Sequence, residues 1–99
     1  MKFLLWLSSE CASLGEIVSA LKKKNHEVGV LLLQNGVFLA DKGCEHSAEL
    51  EALGVSMYAV KKHIEERGIE NRLIGGIDEI DHYGMVDLVM EKYDRVVSV

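Results

Sequence analysis

The sequence predicts an α/β domain, a three-layer sandwich with a mostly parallel sheet of four or five strands. Three observations carry that expectation. Short apolar runs alternate with helical patterns along the whole chain, the order that a sheet with crossover helices requires. The run VGVLLL (28–33) is apolar at every position except Gly29, as strands covered on both faces are. The 99 residues correspond in size to one domain, expected over 1–99.

The elements follow in order. FLLWL (3–7) reads as the first strand. Leu14, Ile17, Val18 and Leu21 then form one apolar stripe, which predicts a helix over 11–25 with Ser8 or Ser9 as its cap. Lys22, Lys23 and Lys24 close that helix, where positive charge suits its dipole, so they read as a solvated helix end. VGVLLL is the second strand. CEHSAELEAL (44–53) reads as a helix stopped by Gly54, VSMYAV (55–60) as the third strand, and KKHIEER (61–67) as a helix stopped by Gly68. IDEI (77–80) is a weaker fourth strand. Val86, Val89, Met90 and Tyr93 repeat the helical stripe over 82–93, with Asp81 as the cap, before a last strand RVVSV (95–99).

With 48% apolar and 27% charged residues the composition is that of a globular protein. A formal net charge of −5 argues against direct binding to nucleic acid or to an anionic membrane, since both select for Lys and Arg. No apolar run approaches the ~20 residues of a membrane span, and FLLWL is too short for the apolar region of a signal peptide. Two cysteines are too few for a disulfide framework and point to a reducing cytoplasm. Proline is absent, and no linker or internal repeat is evident.

In open α/β sheets reactive groups collect where strands lead into helices. Here those places are 8–11, 34–44, 60–62 and 81–83. Cys11 opens the first helix, a position that favours a thiolate, although a small, partly buried residue filling a loop is the commoner reading. A cysteine-phosphatase loop would need an arginine where Ile17 stands, and Glu16 would repel the phosphate. CASLGEI (11–17) also fits a phosphocysteine sugar-transport loop poorly. Cys44 precedes His46 by two residues, but two ligands do not make a zinc site, and His26, His63 and His82 are scattered singly. Glu45 beside Cys44 disfavours its thiolate. Gly75-Gly76 reads as a turn. Asp78 and Asp81 could serve as acid and base, but capping and turn roles are commoner for such residues. No metal and no cofactor is expected.

Three blocks carry more than composition does. LLLQNGVFLA (31–40), with Gln34, Asn35, Gly36 and Val37, resembles the signature that DsrH/TusB-like proteins of the DsrE/DsrF/DsrH superfamily carry after their second strand. MYAVKKHIEERGI (57–69) is similar to a second family block, with Tyr58, Ala59, Arg67 and Gly68 in place. IDHYGMVDLV (80–89) is similar to a third, with Asp81, Val86 and Leu88 matching. Asn35 stands where the family often has Asp, and Met85 where it has an aromatic residue. The resemblance spans about 28–99 and implies a flavodoxin/Rossmann-type topology and a sulfur-relay function.

In that family the sulfur-carrying cysteine of catalytic subunits lies just after the third strand, here the position of Val60 and Lys61. Some DsrH-type chains carry a cysteine within the first helix, here VSALKK (18–23). Neither position holds a cysteine. The resemblance therefore implies a non-enzymatic accessory subunit that supports persulfide transfer, as in 2-thiolation of the tRNA wobble uridine or in sulfur oxidation. Implied partners are DsrE/DsrF (TusC/TusD)-like subunits, or further copies in a homo-oligomer, with Phe38, Leu39 and the segment after Gly36 at the contact. The apolar content of LLWL and MYAV agrees with an oligomer. One alternative is a sulfur carrier using Cys11 or Cys44 as its thiol. Another is a small-ligand module built on the Asn35–Gly36 loop.

Overall fold

The computed structural model describes residues 1–10 and 12–99. In chain order the elements are β1 (Lys2–Leu7), α1 (Gly15–Lys23), β2 (Glu27–Leu32), α2 (Ser47–Ala52), β3 (Ser56–Val60), α3 (Lys61–Glu66), β4 (Ile77–Ile80), α4 (His82–Asp87) and β5 (Arg95–Ser98). A 3-10 segment, Gln34–Ala40, follows β2, and a π turn, Leu88–Lys92, continues α4. The strands lie in the order β4-β3-β2-β1-β5, and every pairing is parallel. The expected α/β architecture is the observed one.

Register explains how the two layers form. Val97, Leu5, Val30, Met57 and Ile77 make one row across the sheet. That row packs with Leu14 at the cap of α1 and Val18 within it, Leu50 of α2 and Ile64 of α3. The next row, shifted by one residue, contains Trp6, Leu31 and Tyr58 and turns to the other face, as a period of two demands. There it meets Leu88, Val89 and Tyr93 from the C-terminal helical segment. Three helices cover one face and one helix covers the other.

Several boundaries differ from the sequence reading. α1 begins at Gly15 rather than 11, and Leu14 occupies its cap without a side-chain bond, so neither Ser8 nor Ser9 caps it. α2 is shorter than 44–53 because the chain before it is taken up by turns. Cys44 N–H donates to Asp41 O, and both Ser47 N–H and Ser47 Oγ donate to Cys44 O. The segment after β2 is a 3-10 helix and not an open loop, because Val37, Leu39 and Ala40 are core residues. The last helix widens into the π turn when Tyr93 N–H reaches back five residues to Leu88 O.

The oligomer argument from sequence also needs correction. Leu39 is 1% exposed and Phe38 packs against the same core, so this segment is interior rather than a contact face. Leu4, Leu5, Leu7, Ala59 and Val60 are likewise buried within the monomer. The exposed large apolar side chains are elsewhere, chiefly Tyr83, Val86 and Met90 along the C-terminal helical segment.

Gly29 marks how tightly that segment sits. A Cβ there would lie 2.1 Å from the Tyr93 hydroxyl oxygen and 2.6 Å from its ring carbon. Gly29→Ala should displace Tyr93, costing about 2 kcal/mol of unfolding free energy in a denaturant titration. Amide exchange should rise across 88–93 more than in α1.

Candidate functional site

β3 passes into α3 without a loop. Val60 is the last strand residue and Lys61 the first helical one, so Lys61, Lys62 and His63 emerge at the carboxyl end of the sheet. The neighbouring strand β4 ends at Ile80, and Asp81 then opens α4 by accepting a hydrogen bond from Gly84 N–H at 2.8 Å. That capping role is the one the sequence suggests for Asp81. Between the two helix starts lies a cleft of about 560 Å³, lined by Val60, Lys61, Lys62, His63, Glu65, Asp81, His82 and Met85.

The signature loop is fastened to this cleft from behind. Gly36 packs so closely on the end of β1 that a Cβ would lie 2.0 Å from Leu7 O. Only glycine leaves room for that approach. Gln34 takes a left-handed backbone conformation, φ 52°, unusual for a residue with a side chain. Its N–H donates to His63 Nδ1 at 2.7 Å. One residue on, Asn35 Oδ1 accepts from Arg67 Nε at 3.0 Å, and Arg67 Nη1 also donates to His63 O at 3.2 Å. Val37 is fully buried beneath.

Four of the sequence-selected residues therefore act together: Gln34, Asn35 and Gly36 after β2, and Arg67 at the end of α3. Gly68 follows that helix at φ 66° and supplies its left-handed end. Tyr58 and Asp81 do not join this group. The Tyr58 hydroxyl lies 3.3 Å from that of Tyr93, on the face covered by the C-terminal helix. Asp78 is exposed on the edge strand β4.

Sequence reasoning missed His63, which had seemed an isolated histidine. Its spacing of four from Arg67 is the signal: both side chains leave α3 toward one neighbour. It also missed Asp41, a buried carboxylate that pairs with Arg72 Nη2 at 3.0 Å and accepts from Gly43 N–H at 3.1 Å. Nothing in the apolar periodicity marks that pair.

Of the two candidate thiols, Cys11 lies outside the described residues. Cys44 is half-buried against the three-helix layer, away from the cleft lining. Its Sγ accepts from His46 N–H at 3.4 Å, while the His46 ring turns to Glu45, 3.5 Å away. The Cys44 sulfur is disulfide-bonded, so it could act as a nucleophile only after reduction. This departs from the expectation of thiols alone. Among the described residues no group of three or more His, Cys, Asp or Glu is arranged to hold a metal ion. No helix among them is long and apolar enough to cross a membrane.

Fold and cleft define a parallel α/β domain whose polar groups collect at the carboxyl ends of β2, β3 and β4. A family described as DsrH like protein matches residues 8–95, nearly the whole chain and more than the three blocks alone cover. The chain belongs to the DsrH family, the sulfur-relay proteins that those blocks resemble. It is 27% identical to Protein TusB of Photorhabdus laumondii over 66 residues, 67% of this chain and 70% of that one. It is also 27% identical to Protein TusB of Salmonella dublin over 81 residues, 82% of this chain and 85% of that one. In fold it is similar to the YchN protein of E. coli, with a TM-score of 0.75, 15% identity and 100% of both chains covered. A protein of unknown function from Methanobacterium thermoautotrophicum gives a TM-score of 0.73 at 15% identity, covering 99% of this chain and 98% of that one.

Two predictions follow from the signature contacts. Arg67→Ala should cost about 1 kcal/mol, because it removes the bonds to Asn35 Oδ1 and His63 O. Asn35→Asp should make the Arg67 bond charge-assisted and add up to ~1 kcal/mol at low salt. The double-mutant cycle should show that this gain vanishes without Arg67.

Burial, reinforced by the Tyr58 hydroxyl, pushes the Tyr93 phenol well above its ordinary 10.0. The folded state thus favours the neutral phenol. The stability this contributes is complete below pH 10.0 and drains as pH rises beyond it. Tyr93→Phe should lose less stability than the parent between that pH and stronger alkali, measured by denaturant midpoints at each pH.

Proposed function

We propose that this chain is an accessory, non-catalytic subunit of a sulfur-relay complex. It supports persulfide transfer between partner cysteines toward 2-thiolation of the tRNA wobble uridine, with sulfur oxidation as the other outlet for the same transfer. The observation that carries the reading is Lys61. The catalytic sister subunits of the superfamily carry their cysteine just after the third strand, and this chain has an exposed lysine there, at the lip of a cleft. A lysine ammonium cannot accept a sulfur atom as a persulfide, but it can sit beside an anionic one.

The partners that suit this role are DsrE/DsrF-like subunits, with a homo-oligomer as the other assembly. Tyr83 is 83% and Met90 73% exposed on the C-terminal helical segment, which adjoins the cleft through His82 and Met85. Apolar side chains so placed favour a protein contact over solvent. The ligand-module alternative has less support, since Asn35 is bound to Arg67 and Gly36 is pressed against Leu7.

The carrier alternative keeps one supporting observation, the His46 N–H aimed at Cys44 Sγ, which would favour a thiolate after reduction. The test is a Cys11→Ser, Cys44→Ser variant, assayed with DsrE- and DsrF-like partners and a sulfur-loaded cysteine desulfurase under reducing conditions. The variant should co-purify with its partners and support thiolation at the parent rate. A gain of one sulfur atom on the parent chain by mass spectrometry, with transfer lost in an assembled variant, would make this chain a carrier.

A further inference from the structure

We propose that the cleft between the starts of α3 and α4 binds a small organic anion, with its charged head at Lys61 and Lys62 and a compact apolar body against Val60 and Met85. The volume, about 560 Å³, is far more than a bare inorganic anion needs and falls within the usual range for small-molecule sites. The wall is mixed. Val60 is buried and Met85 half-buried, giving an apolar floor, while Lys61, Lys62 and His82 are exposed around it.

The two lysines are adjacent and hold no close carboxylate among the described residues. Among the described residues Lys61 and Lys62 take part in no ion pair within 4.0 Å. Both carboxylates of the lining keep their charge and oppose an anion: Asp81 is held at Gly84 N–H on the cap of α4, and Glu65 lies one turn along α3 from Lys61. His63 adds a donor of fixed position. Its Nδ1 accepts from Gln34 N–H, so the neutral ring carries its proton on Nε2. The side chains and the cleft shape supply the site, not the backbone of these two short helices. Recognition of this kind suits a monophosphate or carboxylate joined to an aromatic or branched aliphatic group.

The test is an amide NMR titration of the whole chain at constant ionic strength, with inorganic phosphate and phenyl phosphate as probes. Shifts should centre on 60–65 and 81–85 and include Gln34, whose N–H reports on His63. Phenyl phosphate should bind about threefold or more tighter than inorganic phosphate, because its ring covers Val60 and Met85. Lys61→Ala, Lys62→Ala should weaken binding roughly tenfold, and Glu65→Gln should strengthen it. All three positions are exposed, so these variants keep the fold, which their own spectra check. A Lys22→Ala, Lys23→Ala, Lys24→Ala variant should bind as the parent does. Shifts centred on Lys22–Lys24, unchanged affinity in the Lys61, Lys62 variant, or no saturation by phenyl phosphate would overturn the proposal.

Discussion

The contact on which the polar end of this molecule depends is the approach of Gly36 to the carbonyl oxygen of Leu7. β1 ends there, and the chain leaving β2 must cross directly over it. Leu33 N–H bonds to Leu7 O at 3.1 Å, and Gly36 N–H turns back to Leu33 O at 2.9 Å. No side chain fits between, so the backbone closes on itself and throws Gln34 into its left-handed conformation. A conformation of that kind costs on the order of 1 kcal/mol for a residue with a Cβ. His63 and Arg67 offset the cost by binding the loop at Gln34 N–H and Asn35 Oδ1. The same two residues thereby set the orientation of α3. Since β3 enters α3 with no intervening residue, the position of Lys61 at the cleft is inherited from a glycine more than twenty residues earlier.

The two faces of the sheet are covered unequally, and this has a consequence for what remains exposed. α1, α2 and α3 together bury one face down to Leu5, Val30 and Ala59. The other face has α4 and its π turn alone. A single helix cannot span five strands, so Trp6 and Tyr58 stay half-buried and the outer side of the helix carries Tyr83, Val86 and Met90 into solvent. The stacking of Tyr93 over Gly29, and its edge contact with Tyr58 at 6.3 Å, extends this thin layer to the amino end of the sheet. One chain leaves this face unfinished.

The architecture was legible because it rests on patterns that chemistry imposes locally. Strand and helix alternate in period, VGVLLL is apolar throughout, and Gly54 and Gly68 both stand at left-handed helix ends. What the patterns hid was of two kinds. The shortened α1 and α2 and the 3-10 segment arise from tertiary hydrogen bonds, such as those of Ser47 to Cys44, that no propensity encodes. The Arg67–Asn35 and Arg72–Asp41 pairs join residues about thirty positions apart, beyond any periodic signal. Leu39 was misplaced for a related reason. An apolar residue in a segment without periodicity reads as surplus surface, whereas the tight turn at Gly36 folds it inward.

The value of the charge at Lys61 depends on what lies over it. In the free chain the lysine is exposed, and a pair of unit charges about 4 Å apart in water is worth only ~1 kcal/mol, further screened by salt. The same pair at the surface of a protein contact, with an effective dielectric constant near 20, is worth about 4 kcal/mol before desolvation is counted. A subunit seated on Tyr83, Val86 and Met90 would cover the cleft through its neighbours His82 and Met85. It would raise the hold on any anion inside without adding a contact of its own. The proposed site would thus be weak in the isolated chain and stronger under a partner, with the same arrangement of residues. On the accessory reading, a lysine where the catalytic sister subunits carry cysteine would lack their reactive group and keep a charge whose effect a partner controls.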